Sequence, residues 1–130
     1  MSENVEAVRD FILGLASGTP TAMRSLDPKI DWHVEDTLPD PQVWHGHEGV
    51  EQFFAGLREV WRQLRFEGTD YIGEDDWVLV TLRQVGYGTQ SQVPVEQILY
   101  GVFRMRDGCA VRLDVYFDRG RAREAVGLSE

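Results

Sequence analysis

The heptad Ile30-Asp31-Trp32-His33-Val34-Glu35-Asp36 packs three carboxylates, one imidazole and one indole into seven positions. Carboxylates beside a histidine are the material of acid–base catalysis and of metal ligation. A little further on, His45 and His47 flank Gly46. Two histidines at i and i+2, with an outside carboxylate such as Glu48 or Asp36, could hold a metal. We read that pair instead as a helix-opening turn and expect neither metal nor cofactor. Asp114 and Asp118 are the acids available near the end of the chain. Asp118 stands where a strand ends, a place that suits a cap for the segment after it. The chain has no Cys/His cluster with zinc spacing, no serine or cysteine in a nucleophile-elbow context and no phosphate-binding glycine loop.

Alternation divides the heptad. In a strand, Asp31, His33 and Glu35 share one face, while Trp32 and Val34 share the other. A slip of one residue exchanges the two sets. The chemistry therefore depends on which elements hold these residues and in what register.

Val5, Val8, Ile12 and Leu15, widened by Phe11, mark one face of a helix that Gly18 ends. Thr19-Pro20 reads as an N-cap and a first-turn proline, opening a short helix to about Leu26 that Asp27-Pro28 breaks. Residues 29–35 form a strand at a sheet edge. Pro39 and Pro41 make TLPDPQVWHG a loop. Val50, Phe53, Phe54, Leu57, Val60, Trp61 and Leu64 keep the 3.6-residue period of a long amphipathic helix. Glu48 and Glu51 sit near its positive end.

The period then becomes two. RFEGTDYIG, WVLVTLRQV, VPVEQILYGVFRM and AVRLDVYFD read as strands, the third with a bend at Gly101. Asp75-Asp76, GYGTQSQ and the hairpin signal Asp107-Gly108 connect them, and a short terminal helix follows. Helices come before strands, which predicts an α+β fold with a curved antiparallel sheet. Packed on the long amphipathic helix and closed by two N-terminal helices, such a sheet makes a cone-shaped α+β barrel with a pocket. One domain spans 1–130.

Composition bounds the function. The chain has 130 residues, 42% of them hydrophobic and 27% charged. Its formal net charge of −9 repels phosphate backbones and argues against a nucleic-acid partner. No apolar run suits a bilayer, so no membrane partner is expected. MSENVEAVRD lacks the basic start of a signal peptide. A single cysteine, Cys109, fits a reducing compartment and hence a cytoplasmic location.

The element order, together with WHGHEGVEQFF, GVFRMRDGCAVRLDVYFD and the closing REAVGL, resembles the SnoaL-like branch of the nuclear transport factor 2-like superfamily. The resemblance covers nearly the whole chain. The branch includes polyketide cyclases, ketosteroid isomerases and limonene epoxide hydrolases. Resemblance to the isomerases places their general base at Trp32 and their later aspartate near Gly101. Resemblance to the epoxide hydrolases places a catalytic aspartate at Val115, with Asp114 its outward neighbour. Their earlier arginine and aspartate fall near Leu82 and Gln84, with Arg83 between them on the other face. The cyclases use a single acid, for which Asp114 and Asp118 are available. A homodimer through the outer sheet face, which carries Ile98, Tyr100 and Val102, is a further implication.

Alternation also proposes the pocket lining. Trp32 and Val34 stand with Ile30, and Leu82 and Gln84 with Val78 and Val80. Gln97, Leu99, Gly101 and Phe103 form a third row, and Val111, Leu113, Val115 and Phe117 a fourth. The helices add Phe11, Ile12, Leu15, Phe53, Phe54, Leu57 and Trp61. The ligand-contacting set is Trp32, Val34, Trp61, Leu82, Gln84, Gln97, Gly101 and Val115. The two glutamines orient the ligand and Gly101 leaves room for it. This lining suits a small apolar or aromatic organic molecule with a carbonyl or hydroxyl.

Two functions follow. One is a cofactor-free isomerase, cyclase or hydrolase working by acid–base catalysis, with His33 and Asp114 as catalytic candidates if the register moves by one. The other is a small-molecule-binding or dimeric scaffold protein without catalysis. The first requires an ionisable side chain inside the cone.

Overall fold

A long helix, α1 (Glu3–Ser17), and a short 3₁₀ helix (Pro20–Ser25) lead into strand β1 (Leu26–Val34) and a four-residue strand, β2 (Gln42–His45). Helix α2 (Gly46–Val60) precedes strands β3 (Trp61–Glu74), β4 (Trp77–Gly88), β5 (Pro94–Arg106) and β6 (Cys109–Tyr116), and helix α3 (Arg119–Ala125) follows them. The computed structural model describes residues 3–17, 20–35, 42–88 and 91–128. The expected stops at Gly18, Pro39 and Pro41, and the acid Asp36, lie outside the described residues.

The strands form one curved, open sheet in the order β2-β1-β6-β5-β4-β3. Three expectations change here. First, β1 is interior, because β2 takes the edge beside it. Second, the sheet is mixed, since β1 runs parallel to β6 while its other pairs are antiparallel. The β1–β6 ladder breaks register between Leu26 and Asp31, a gap that includes Pro28, which has no N–H to donate. Third, α2 stops at Val60, although the apolar period runs on to Leu64. Trp61 is already extended, with φ −116°, while its N–H bonds to the Leu57 carbonyl. Gly86, on the neighbouring strand, makes room for the Trp61 ring. A Cβ there would lie 3.2 Å from Trp61 Cε3 and 3.0 Å from the Arg62 carbonyl oxygen.

The Asp107-Gly108 turn forms as its dipeptide requires, with φ of +52° and +79°. The β5–β6 pairing shifts register between Arg104 and Met105 and is regular through Gly101. Met105 pairs with Ala110 and Arg104 with Arg112, which leaves Val111 as the extra residue. Ala110 is therefore core and Val111 only half-buried, the reverse of simple alternation.

The main core lies between the inner sheet face and the helices. Val5, Val8, Phe11 and Ile12 of α1 and Val50 and Phe54 of α2 meet Ile30, Trp32, Val78, Val80, Phe103 and Leu113. Each such side chain contributes about 1.5–3 kcal/mol of burial. A second cluster lies on the outer face, where Ala122 of α3 packs with Trp77, Leu79 and Val102, flanked by Tyr100, Tyr116 and Val126. Asp118 caps α3 by accepting from the Arg121 backbone N–H, Arg121 pairs with Glu35, and Arg104 donates to the Ala125 carbonyl at 2.8 Å. The chain's own terminal helix thus covers part of the apolar outer face, and Val102 is fully buried there.

Candidate functional site: an apolar cone

The inner faces of the sheet and helices enclose a cavity of about 170 Å³. Its deep end is aromatic. Trp32 packs against Phe11, Phe53 and Phe54, with ring centroids 5.9, 5.5 and 5.6 Å away, and Phe103 stands 6.0 Å from Phe11. Tilted and edge-on packing of this kind is the favoured geometry for aromatic pairs. The Trp32 Nε1–H is buried there and has no hydrogen-bond partner among the described residues. Leu82, Leu99, Leu113, Val34 and Val115 form the middle wall. The mouth carries Gln97 and Phe117, both exposed, with Gln84, Trp61, Leu57 and Phe66 beside them.

Register accounts for this lining. Trp32 pairs with Leu113 and Val34 with Val115 across the parallel β1–β6 ladder. Phe103 pairs with Leu113, and Gly101 with Val115, across β5–β6. Leu82 faces Leu99, and Gln84 faces Gln97, across β4–β5. Residues paired in this way share a sheet face.

Of the residues singled out in the sequence as ligand-contacting, Trp32, Val34, Trp61, Leu82, Gln84, Gln97 and Val115 border the cavity. Gly101 faces inward but is not part of the wall. A Cβ there would meet Phe103 Cε1 at 3.2 Å, Leu82 Cδ1 at 3.4 Å and Leu113 Cδ1 at 3.5 Å. The room beside Gly101 is filled by the protein itself. Phe66 lines the cavity although alternation did not assign it. Strand β3 carries two register shifts and positive φ at Gln63 and Asp70, so a period of two cannot be followed along it.

His33 and Asp114 face the other way. They pair with each other in register on the outer face, flanked by Val43 of β2 and Val102 of β5. The one-residue slip that would bring them inward does not occur. Asp114 is held in a fork by Arg112, with Nε and Nη2 at 2.9 and 3.0 Å from its two oxygens. That hydrogen bonding raises the Arg112 pKa above its ordinary value. Asp31 pairs with His45 Nδ1 at 2.7 Å, and His47 Nε2 lies 2.8 Å from the Leu26 carbonyl oxygen. Both histidines at the start of α2 thus have partners other than a shared ligand. No group of three or more His, Cys, Asp or Glu placed to hold a metal occurs among the described residues.

Further along the outer face, Arg83 bridges Glu67 at 2.8 Å and Glu96 at 2.5 Å. An open groove of about 660 Å³ lies nearby, bordered by Asp70, Tyr71, Ile72, Leu79, Thr81, Tyr100, Arg119 and Arg123. It is larger than the cone and more open. Burial pushes the phenols of Tyr71 and Tyr116 above their ordinary value of 10.0.

The cone wall, among the described residues, has no ionisable side chain: it is Phe, Ile, Leu, Trp, Val and two Gln. Such a surface can desolvate, orient and hydrogen-bond a guest.

A family model described as a SnoaL-like domain matches residues 8–113. No curated protein sequence matches the chain. Solved structures do. TerC co-crystallised with polyporic acid is 21% identical over 95% of this chain and 97% of its own, with a TM-score of 0.79. An NTF2-like protein of unknown function from Burkholderia pseudomallei K96243 is 19% identical, over 98% of this chain and 99% of its own, with a TM-score of 0.80. A protein with a ketosteroid isomerase-like fold from Catenulispora acidiphila DSM 44928, in complex with trimethylamine, is 14% identical. That match covers 95% of this chain and 94% of the other, with a TM-score of 0.75. At these identities the likeness is one of fold. No helix among the described residues is long and apolar enough to cross a membrane.

Proposed function

The chain belongs to the SnoaL-like domain family, and from that premise we propose that it takes up a small, mainly apolar organic molecule in the cone. The observation that carries this reading is the wall itself, mainly apolar, with the Gln84 and Gln97 carboxamides near the mouth and the unpartnered Trp32 N–H at its deep end as its polar points. A volume of about 170 Å³ compares with the engineered apolar cavity of about 150 Å³ that binds benzene. The guest is therefore about one ring in size. Two proteins of like fold are described with small organic molecules, polyporic acid and trimethylamine, which supports the same kind of use here.

The reading is uptake and orientation. It does not include proton transfer by His33 or Asp114, which the register keeps on the outer face. It does include self-association of two copies through the part of the outer face that α3 leaves open, where Ile98 is 39% exposed. Light scattering behind size-exclusion chromatography reads that part separately, and a monomer at high concentration removes it.

Thermal unfolding with single-ring apolar probes tests the uptake. A probe at a hundred times its Kd stabilises by about 2.7 kcal/mol, roughly 10 °C for a domain of this size. No rise in Tm with any of toluene, indole or p-cresol would sink the reading.

A further inference from the structure

We infer that the cone selects its guest by a neutral polar head group, read at the mouth by the paired carboxamides of Gln84 and Gln97. This rests on the uptake reading above and names the chemical class of the guest.

Gln84 and Gln97 are direct cross-strand partners on β4 and β5, so their side chains leave the same face about 5 Å apart. Phe66 flanks Gln84 from β3. The three form one row across the cavity mouth. Gln84 is 4% exposed and is the one buried polar side chain among the described residues, whereas Gln97 is exposed. A leucine at position 84 would complete the wall without an amide to satisfy. Buried amides need partners, and apart from Gln97 and the indole N–H groups of Trp32 and Trp61 the cavity wall is hydrocarbon, so from the cone side a guest can supply one.

The rows set the geometry. One step inward from the carboxamides stands Leu82 opposite Leu99, and the next step reaches the level of Gly101 and Val115. Each step is about 7 Å along the strand. A ring lying against Leu82, Leu99 and Val115 brings one substituent to the carboxamide row. A single ring fills the volume, so the guest carries one head group there.

Charge completes the class. Each carboxamide offers an acceptor oxygen and two donors and carries no charge. No described lining residue is cationic, so an anionic head would give up hydration with no ion to replace it. The net charge of −9 opposes its approach as well. The guest is a neutral one-ring molecule whose head both donates and accepts hydrogen bonds, as a primary amide or a hydroxyl does.

Titration calorimetry with toluene, benzamide and benzoate at neutral pH tests this on the unsubstituted chain, Gln84→Leu and Gln97→Leu. Benzamide should bind about five- to tenfold tighter than toluene, and benzoate at least about tenfold weaker than benzamide. Gln84→Leu should erase the advantage of benzamide over toluene, and Gln97→Leu should reduce it. If toluene binds but benzamide has no advantage, or keeps it in both variants, or if benzoate binds tightest, the inference is overturned and uptake stands. If neither toluene nor benzamide binds, the uptake reading fails first and takes the inference with it.

Discussion

Val115→Phe separates an open cone from a merely loose one. Val115 is 7% exposed, lines the cavity and stands opposite Gly101. Phenylalanine suits a strand and adds four side-chain carbons. At about 0.8 kcal/mol per buried carbon the gross gain is roughly 3 kcal/mol. Lost rotamer freedom and imperfect fit take back about 1–2 kcal/mol. The net is a stabilisation of about 1–2 kcal/mol. With an unfolding entropy of about 2.1 cal/mol/K per residue, Tm should rise by roughly 4–7 °C. The same ring occupies space that a guest needs, so the shift produced by toluene should disappear. Differential scanning calorimetry with and without toluene reads both effects in one series. A variant with lowered Tm and undiminished toluene binding would refute the reasoning. It would mean that the wall at Val115 is closely packed and that the probe binds elsewhere.

Three other outcomes follow from the same structure. Asp114→Asn should leave binding of single-ring probes within about twofold and lower the unfolding free energy read in urea by about 1 kcal/mol or less, since Arg112 is half exposed. A loss of binding would return Asp114 to the site. Gly108→Ala forces an L side chain to φ +79° and should cost about 1 kcal/mol in chemical unfolding, whereas no loss would mean that the turn relaxes. Tyr71 and Tyr116 hold their protons above the ordinary phenol value of 10.0, chiefly through burial. The folded state then binds more protons than the unfolded chain, so stability is complete below pH 10 and falls as pH rises through the raised values. Tyrosinate absorbance and denaturant midpoints between pH 9 and 12 should show both effects. Unfolding that becomes harder over that range would contradict the sign.

The inner face was readable because alternation is strict where one side of a strand is buried. Trp32 against His33, and Gln84 against Arg83, follow it without exception. The same rule loses its hold wherever the backbone departs from the pleat. The extra residue at Val111 and the positive φ at Gln63 and Asp70 break the count, so alternation does not predict the inward places of Ala110 and Phe66. The spacing of Trp61 from Leu57 fits the helix period, yet Trp61 opens a strand. It still reaches the cavity, through the space Gly86 leaves. Strand β2 is four residues long and follows two prolines, and its ladder depends on a partner distant in the chain. No local pattern could announce it. The parallel β1–β6 pair is hidden for the same reason.

That parallel pair has a consequence for how the protein is made. Trp32 meets its cross-strand partner Leu113 only after about 80 further residues have been synthesised. At roughly 5–20 residues per second the wait is several seconds. During it, β1 lacks the strand that joins it to the β3–β5 part of the sheet. Contacts this remote also slow folding, because the intervening loop must close before they form. Pairing of β6 with β1 completes the guest's chamber, and destabilising β6 should delay folding more than an equal loss within the β4–β5 hairpin.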